Sequence, residues 1–139
     1  MKTVFADANY WVALLNPKEQ LYHRAKAVQS KLRQAQLLTT EFVLAEFLNF
    51  YAPRGESLRL AASELVTRIL QNSRIDVIAS DREIFTAALT LYARRQDQQY
   101  SLTDCISMVV MKRRAVAEVL TQDRHFRQEG FVPLLERSR

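Results

Sequence analysis

Thr3-Val4-Phe5-Ala6 is apolar almost throughout. A strand wetted on one side alternates polar and apolar residues, so a run of this kind belongs to a sheet covered on both faces. Three similar short runs follow at Leu37-Leu38-Thr39, Ile75-Asp76-Val77-Ile78 and Ala117-Glu118-Val119-Leu120, with a fifth at Phe131-Val132-Pro133-Leu134. Helical patterns fill the intervals. They run from Tyr10 to Leu15, from Glu19 to Arg33, from Thr40 (as cap) to Tyr51, from Glu56 to Asn72 with Leu60, Leu65, Ile69 and Leu70 expected inward, and from Ser80 to Arg95 with Glu83 completing a capping box. The last two start at Ser101 or Thr103, ending at Arg113, and at Arg124, ending at Gln128. Short buried strands alternating with helices predict an α/β three-layer sandwich, a parallel sheet of four to five strands between two helical layers. With 139 residues and no repeat or Pro/Gly/Ser-rich linker, the chain reads as one domain, 1–139.

In a parallel sheet of this type, ligands gather outside the carboxyl ends of the strands. Asp7 directly follows the first strand and Asp123 closely follows the fourth. Asp104 lies in the first turn of a helix opened by Ser101-Leu102-Thr103-Asp104, and Glu46 sits inside the helix that Thr40 caps. Each acid also has an ordinary structural reading. Asp7 with Asn9 suits a turn, Asp123 an N-cap, and Asp104 a capping box with Ser101. The face of the Asp104 helix that holds Ser107, Met108 and Met111 is nevertheless expected to be buried.

Glu46 is the hardest to explain structurally. Its helical neighbours are Phe42, Val43, Asn49 and Phe50, so its carboxylate is expected to be at least partly buried. Burying it unpartnered would cost several kcal/mol. Glu41, five residues earlier, points elsewhere and complements the helix N-terminus.

No lysine or arginine shares the Glu46 stripe or adjoins Asp7 or Asp104, while Arg124 is positioned to pair with Asp123. Carboxylates gathered without cationic partners repel one another, and hard divalent ions relieve that repulsion; an all-oxygen donor set selects Mg²⁺ or Mn²⁺. His125 and His23 are weaker candidates, since a lone histidine is more often a surface or outer-shell residue.

Charge and residue usage narrow the classes further. Two glycines exclude a phosphate-cradling glycine-rich loop, and the single cysteine, Cys105, excludes an intramolecular disulfide and a cysteine zinc site. The apolar run at the N-terminus is too short for a signal peptide and no stretch is long enough to span a bilayer, so the chain reads as cytoplasmic. The net charge is +5, and setting four carboxylates aside in a pocket leaves +9 elsewhere. An acidic hole in a basic surface suits a polyanion, although a basic solvated surface explains the charge equally. Candidates for backbone contacts are Arg54, Arg59, Arg94, Arg95, Lys112, Arg113, Arg114, Arg124 and Arg127.

The landmarks in order resemble a PIN domain: Asp7-Ala8-Asn9 after the first strand, a Thr39-Thr40-Glu41-Phe42-Val43-Leu44-Ala45-Glu46 helix start, Ser101-Leu102-Thr103-Asp104, and Thr121-Gln122-Asp123-Arg124-His125-Phe126 after the fourth strand. The small length resembles the ribonuclease toxins of VapC-type toxin–antitoxin pairs. The resemblance covers essentially the whole chain. It implies that Asp7, Glu46, Asp104 and Asp123 hold Mg²⁺ or Mn²⁺ for RNA phosphodiester hydrolysis, with Thr103 and Thr121 as supporting hydroxyls. It also implies a cognate antitoxin and a homodimer, for either of which Phe42, Phe47 and Phe50 are candidate surfaces, although core packing is the commoner use of such residues. The competing reading is a PIN-like module that binds RNA or protein without cutting. A dehalogenase-type phosphatase would want an aspartate where Asn9 stands, and a receiver domain a lysine near Thr121.

Overall fold

The computed structural model describes residues 2–137. Five strands, β1 (Thr3–Ala6), β2 (Gln36–Thr40), β3 (Ile75–Ile78), β4 (Glu118–Leu120) and β5 (Val132–Pro133), form one sheet in the order β3-β2-β1-β4-β5. Every neighbouring pair is parallel, with Phe5 opposite Leu38 on one side and Val119 on the other. Helices α1 (Ala8–Leu15), α2 (Tyr22–Lys31), α3 (Glu41–Tyr51) and α4 (Glu56–Gln71) connect β1 to β2 and β2 to β3. α5 (Arg82–Arg94) and α6 (Leu102–Arg113) return the chain to β4, and α7 (His125–Gln128) leads to β5. Parallel crossovers are right-handed, so reversing direction at β3 sends α5, α6 and α7 to the face opposite α1 to α4. The predicted sandwich is therefore observed.

Val4, Phe5, Ala6, Val119 and Leu120 are wholly inaccessible, as uniformly apolar central strands require. Tyr10, Trp11, Phe47 and Tyr51 fill one layer and Ile106, Met108 and Met111 the other. Ser107 is buried beside them. Thr40 caps α3 by accepting the Val43 amide, and Gly55 takes a φ of +97° in the turn into α4.

Three local expectations need correction. Leu60 and Leu70 in α4 were expected inward with Leu65 and Ile69, but they are 61% and 58% exposed while Ile69 is buried. At ~100° per residue, Leu60 and Ile69 lie half a turn apart and cannot share a face; the inward stripe is Leu58, Ala62, Leu65, Val66 and Ile69. Ser80 and Glu83 do not form a capping box on α5. Asp81 is the N-cap and accepts the Ile84 amide, Ser80 donates both its amide and hydroxyl to Glu41, and Glu83 pairs with Arg113. Phe47 is fully buried and offers no interface, whereas Phe42 and Phe50 are half-buried. Among the described residues no helix is long and apolar enough to cross a membrane.

Candidate active site

The strand order reverses between β1 and β4: chain sequence runs outward to β3 on one side and to β5 on the other. At such a switch point the loops after the two strands part and leave a crevice at their carboxyl ends. Asp7 leaves β1 there, its amide donating to the Leu120 carbonyl at the end of β4. It occupies the N-cap position of α1 but its side chain makes no capping bond. Instead its Oδ2 accepts the Thr121 hydroxyl at 2.9 Å.

Thr121 is the hub of this rim. Its Oγ1 accepts from the Asn9 amide group at 2.9 Å and from the Asp123 backbone N–H at 3.1 Å, while donating to Asp7. One buried hydroxyl thus fixes the loops after β1 and β4 to each other. Asn9 Oδ1, the other end of that amide, is sealed from solvent and has no hydrogen-bond partner among the described residues.

Asp104 enters from α6. The capping box that its position predicted is complete: Ser101 Oγ accepts the Asp104 amide and Asp104 Oδ2 accepts the Ser101 amide. The same Oδ2 lies 3.3 Å from Nδ1 of His125. Asp104 Oδ1 has no hydrogen-bond partner among the described residues, so capping leaves half of the carboxylate available. Asp123 does not cap α7, whose N-cap is Arg124; its Oδ1 accepts the His125 amide and lies 3.2 Å from the same imidazole nitrogen. Asp104, Asp123 and His125 each offer one ligand atom within 4.8 Å of the others.

His125 is therefore closer to the centre than its sequence context suggested. Its ring also packs against Tyr100, the centroids 5.4 Å apart and the planes tilted by 59°; the Tyr100 hydroxyl donates to Glu129, which Arg95 grips with both Nε and Nη2. The signal for this placement was the two-residue spacing from Asp123, which a count of lone histidines does not register. His23 is exposed against Tyr22, outside the rim.

Glu46 is exposed, contrary to the expected partial burial. The buried stripe of α3 is Val43, Leu44, Phe47 and Tyr51, and Glu46 stands on its shoulder. Its carboxyl nevertheless overhangs the cleft that Asn9 and Phe50 also line. Crowding by protein on that side raises its pKa, with smaller contributions from Asp104 and Asp123. An open concavity leaves a group reachable by water while displacing much of the water around it, and the shift reflects this crowding.

Electrostatics ties the four acids into one group. Burial pushes the Asp7 carboxyl up to about 7; the Ala8 amide and the Thr121 hydroxyl oppose this, and Asp104 and Glu46 add to it. Burial also raises Asp104, against the Ser101 amide, with Asp123 adding and His125 opposing. The structure thus brings Asp7, Glu46, Asp104 and Asp123 together. Thr121 joins them; Thr103, half-buried in α6, has no hydrogen bond to a carboxylate among the described residues. The expected Arg124–Asp123 ion pair is likewise not formed among the described residues. Cys105 is buried and its thiol is pushed up to about 11, so it is no nucleophile at neutral pH.

The donors fit a hard divalent cation. Four gathered carboxylates, with Asp7, Glu46 and Asp104 raised in pKa by burial and by their acidic neighbours, and an Asp104 oxygen without a hydrogen-bond partner among the described residues, are what a metal and its water shell would satisfy.

Comparison with known proteins agrees with this geometry. A family model for the PIN domain matches residues 4–131. The Mycobacterium tuberculosis protein named 23S rRNA-specific endonuclease VapC20 is 26% identical over 132 residues, covering 93% of this chain and 95% of its own. The crystal structure of VapC20, described as a Sarcin-Ricin loop cleaving toxin, superposes with a TM-score of 0.83 at 24% identity, covering 93% and 96% of the two chains. FitAcB from Neisseria gonorrhoeae superposes at 0.64 with 16% identity over 94% of each chain.

Proposed function

The chain belongs to the PIN domain family, and from that premise we propose that it is a metal-dependent endoribonuclease, the toxin of a toxin–antitoxin pair. The observation that carries the proposal is the convergence of Asp7, Glu46, Asp104 and Asp123 at the sheet's switch point, with no lysine or arginine paired to them among the described residues. These four carboxylates would hold Mg²⁺ or Mn²⁺. When bound, such an ion supplies Lewis acidity toward a phosphodiester and makes a water more acidic.

The chain's own groups do the positioning. Thr121 sets the angle of the Asp7 carboxylate and the height of Asp123. Ser101 fixes Asp104 through the α6 cap, and His125 spans Asp104 and Asp123. Glu46 closes the open side from α3. A phosphodiester seated across these groups is oriented for in-line attack by water, and the buried floor made by Asp7 limits competing solvent.

An acidic cleft of this kind, with Glu46 at its open edge, also suits masking by a cationic side chain from a cognate antitoxin. A homodimer is the second partner proposed. Phe85, Leu89 and Tyr92 are 40%, 48% and 51% exposed and, four and three residues apart on α5, share one face.

Incubating the pure protein with total cellular RNA, ribosomal RNA included, and Mg²⁺ tests the reading by mapping new 5′ ends. Discrete ends that vanish with EDTA and in Asp104→Asn establish it. Ends that survive both treatments point to another active site, and an absence of ends favours the non-cutting RNA- or protein-binding module.

A further inference from the structure

The cleft beside Glu46 and Asn9 does not end at the acids. It shares Gln20, Leu21 and Gln122 with a second pocket of about 550 Å³, so the two form one groove. Three arginines from three separate segments converge on that second pocket: Arg24 from α2, Arg124 from the loop after β4, and Arg137 from the segment after β5.

Their charge is not consumed within the fold. Elsewhere Arg95 is paired with Glu129, Arg113 with Glu83, Arg114 with Asp76 and Arg127 with Glu136. Glu136 is the pocket's one acid, and that pairing with Arg127 already neutralises it. Among the described residues Arg124 and Arg137 have no ion pair. Arg24 is half-buried and uses one Nη1 donor at 2.7 Å on the Leu135 carbonyl. That bond pins the guanidinium at the pocket wall and leaves its other donors free. A concave cluster of three uncompensated arginines, one of them anchored, is a receptor for an anion that accepts several hydrogen bonds at once.

We propose that this pocket is a phosphate subsite for the RNA backbone, taking a phosphate next to the one at the acids. Arg24, Arg124 and Arg137 hold it, and Gln20 and Gln122 line the path between the two. The assignment rests on the nuclease reading. It gives the substrate a direction: the strand runs from the rim of α3 past β4 toward the segment after β5. Contacts to phosphate fix register without reading sequence, so the subsite sets which bond faces the carboxylates for any RNA that enters.

The test is binding of a labelled single-stranded RNA to the full chain carrying Asp104→Asn, titrated over a range of salt concentrations. In that background Arg124→Ala with Arg137→Ala is compared with Arg33→Ala plus Arg68→Ala, an equal charge change in a different pocket. The expected result for the first pair is affinity weaker by roughly tenfold and a salt slope smaller by ~0.7 for each phosphate no longer neutralised. Lysine at both positions should restore most of the slope, and the control pair should change little. Unaltered affinity and slope, or an equal weakening in the control pair, would overturn the subsite. Failure of the unmutated protein to cut RNA would instead strike the nuclease reading, because this binding measurement needs no cleavage.

Discussion

Carboxylates on the outer shell of the molecule and carboxylates at the carboxyl ends of β1 and β4 receive opposite treatment. On the shell Glu118 meets Lys2, Glu83 meets Arg113 and Asp76 meets Arg114, and the more enclosed Glu129 meets Arg95. Pairing with their arginines holds Glu83 and Glu129 below the ordinary glutamate range. At the rim, burial and mutual repulsion push Asp7, Glu46 and Asp104 upward. The chain has 20 lysines and arginines against 15 acids, so cations are not scarce. They are placed elsewhere. Sustained repulsion in one cleft, while these other carboxylates are paired, marks the place where the fold gives up stability for a ligand.

The contrast can be broken at four points. The largest effect is expected from Asp104→Asn, which should lower RNA cleavage by ~10³-fold or more, beyond the roughly 10–100-fold of an outer-shell change. Circular dichroism should show the fold retained, since asparagine can still accept the Ser101 amide.

The next test concerns pH. Asp7 ionises at about 7 in the fold against 3.8 ordinarily, so the folded state holds this proton more tightly than the unfolded one. Its contribution is fully present below about pH 4 and is lost as pH rises to about 7, a span of about 4 kcal/mol. In EDTA, Asp7→Asn should therefore match the parent protein near pH 4 and exceed it increasingly toward pH 8 in chemical denaturation. A difference that stays flat with pH would remove the strain from the comparison. Added Mg²⁺ should stabilise the parent and not the variant.

Thr121→Val keeps shape but leaves Asn9, Asp7 and the Asp123 amide without their shared hydroxyl. Activity should fall roughly 10–100-fold and stability by about 1–3 kcal/mol, read by initial rates and by urea midpoints. The smallest effect belongs to the shell. Asp76→Asn, whose ion pair with Arg114 is about half exposed, should cost ~0.2–1 kcal/mol and leave cleavage unchanged. A drop in cleavage there would mean that the two regions are not independent.

Much of this arrangement could be read from residue order. Thr3–Ala6 stands as expected because an apolar run has one use in the middle of a parallel sheet, Ile75–Ile78 is recovered as an edge strand that leaves Asp76 exposed, and strand ends then located Asp7 and Asp123. What failed was whatever depended on which side of a helix faces the sheet. Glu46 has apolar neighbours on α3 yet stands on the shoulder of their stripe, and Phe47, a candidate for either surface or core, is at its centre. Leu60 and Leu70 show that hydrophobicity without angular bookkeeping mislabels α4. His125 and Arg24 were undervalued for another reason: their importance comes from what packs beside them, Tyr100 and the Leu135 carbonyl, which lie far off in sequence.

The bond from the Thr121 hydroxyl to Asp7 joins residues 114 positions apart. A domain folds as a unit during synthesis, and the loop-closure entropy of contacts so far apart must be met before they form. A nascent chain that has not yet passed Thr121 has Asp7, Glu46 and Asp104 but neither Asp123 nor the hydroxyl that orients the first acid. Because β4 must dock on β1 to complete the rim, the carboxylate cluster is assembled only after the chain has been made through Asp123. Chains not yet made through Asp123 therefore carry no finished site, so the cluster cannot act on RNA before the fourth strand is in place.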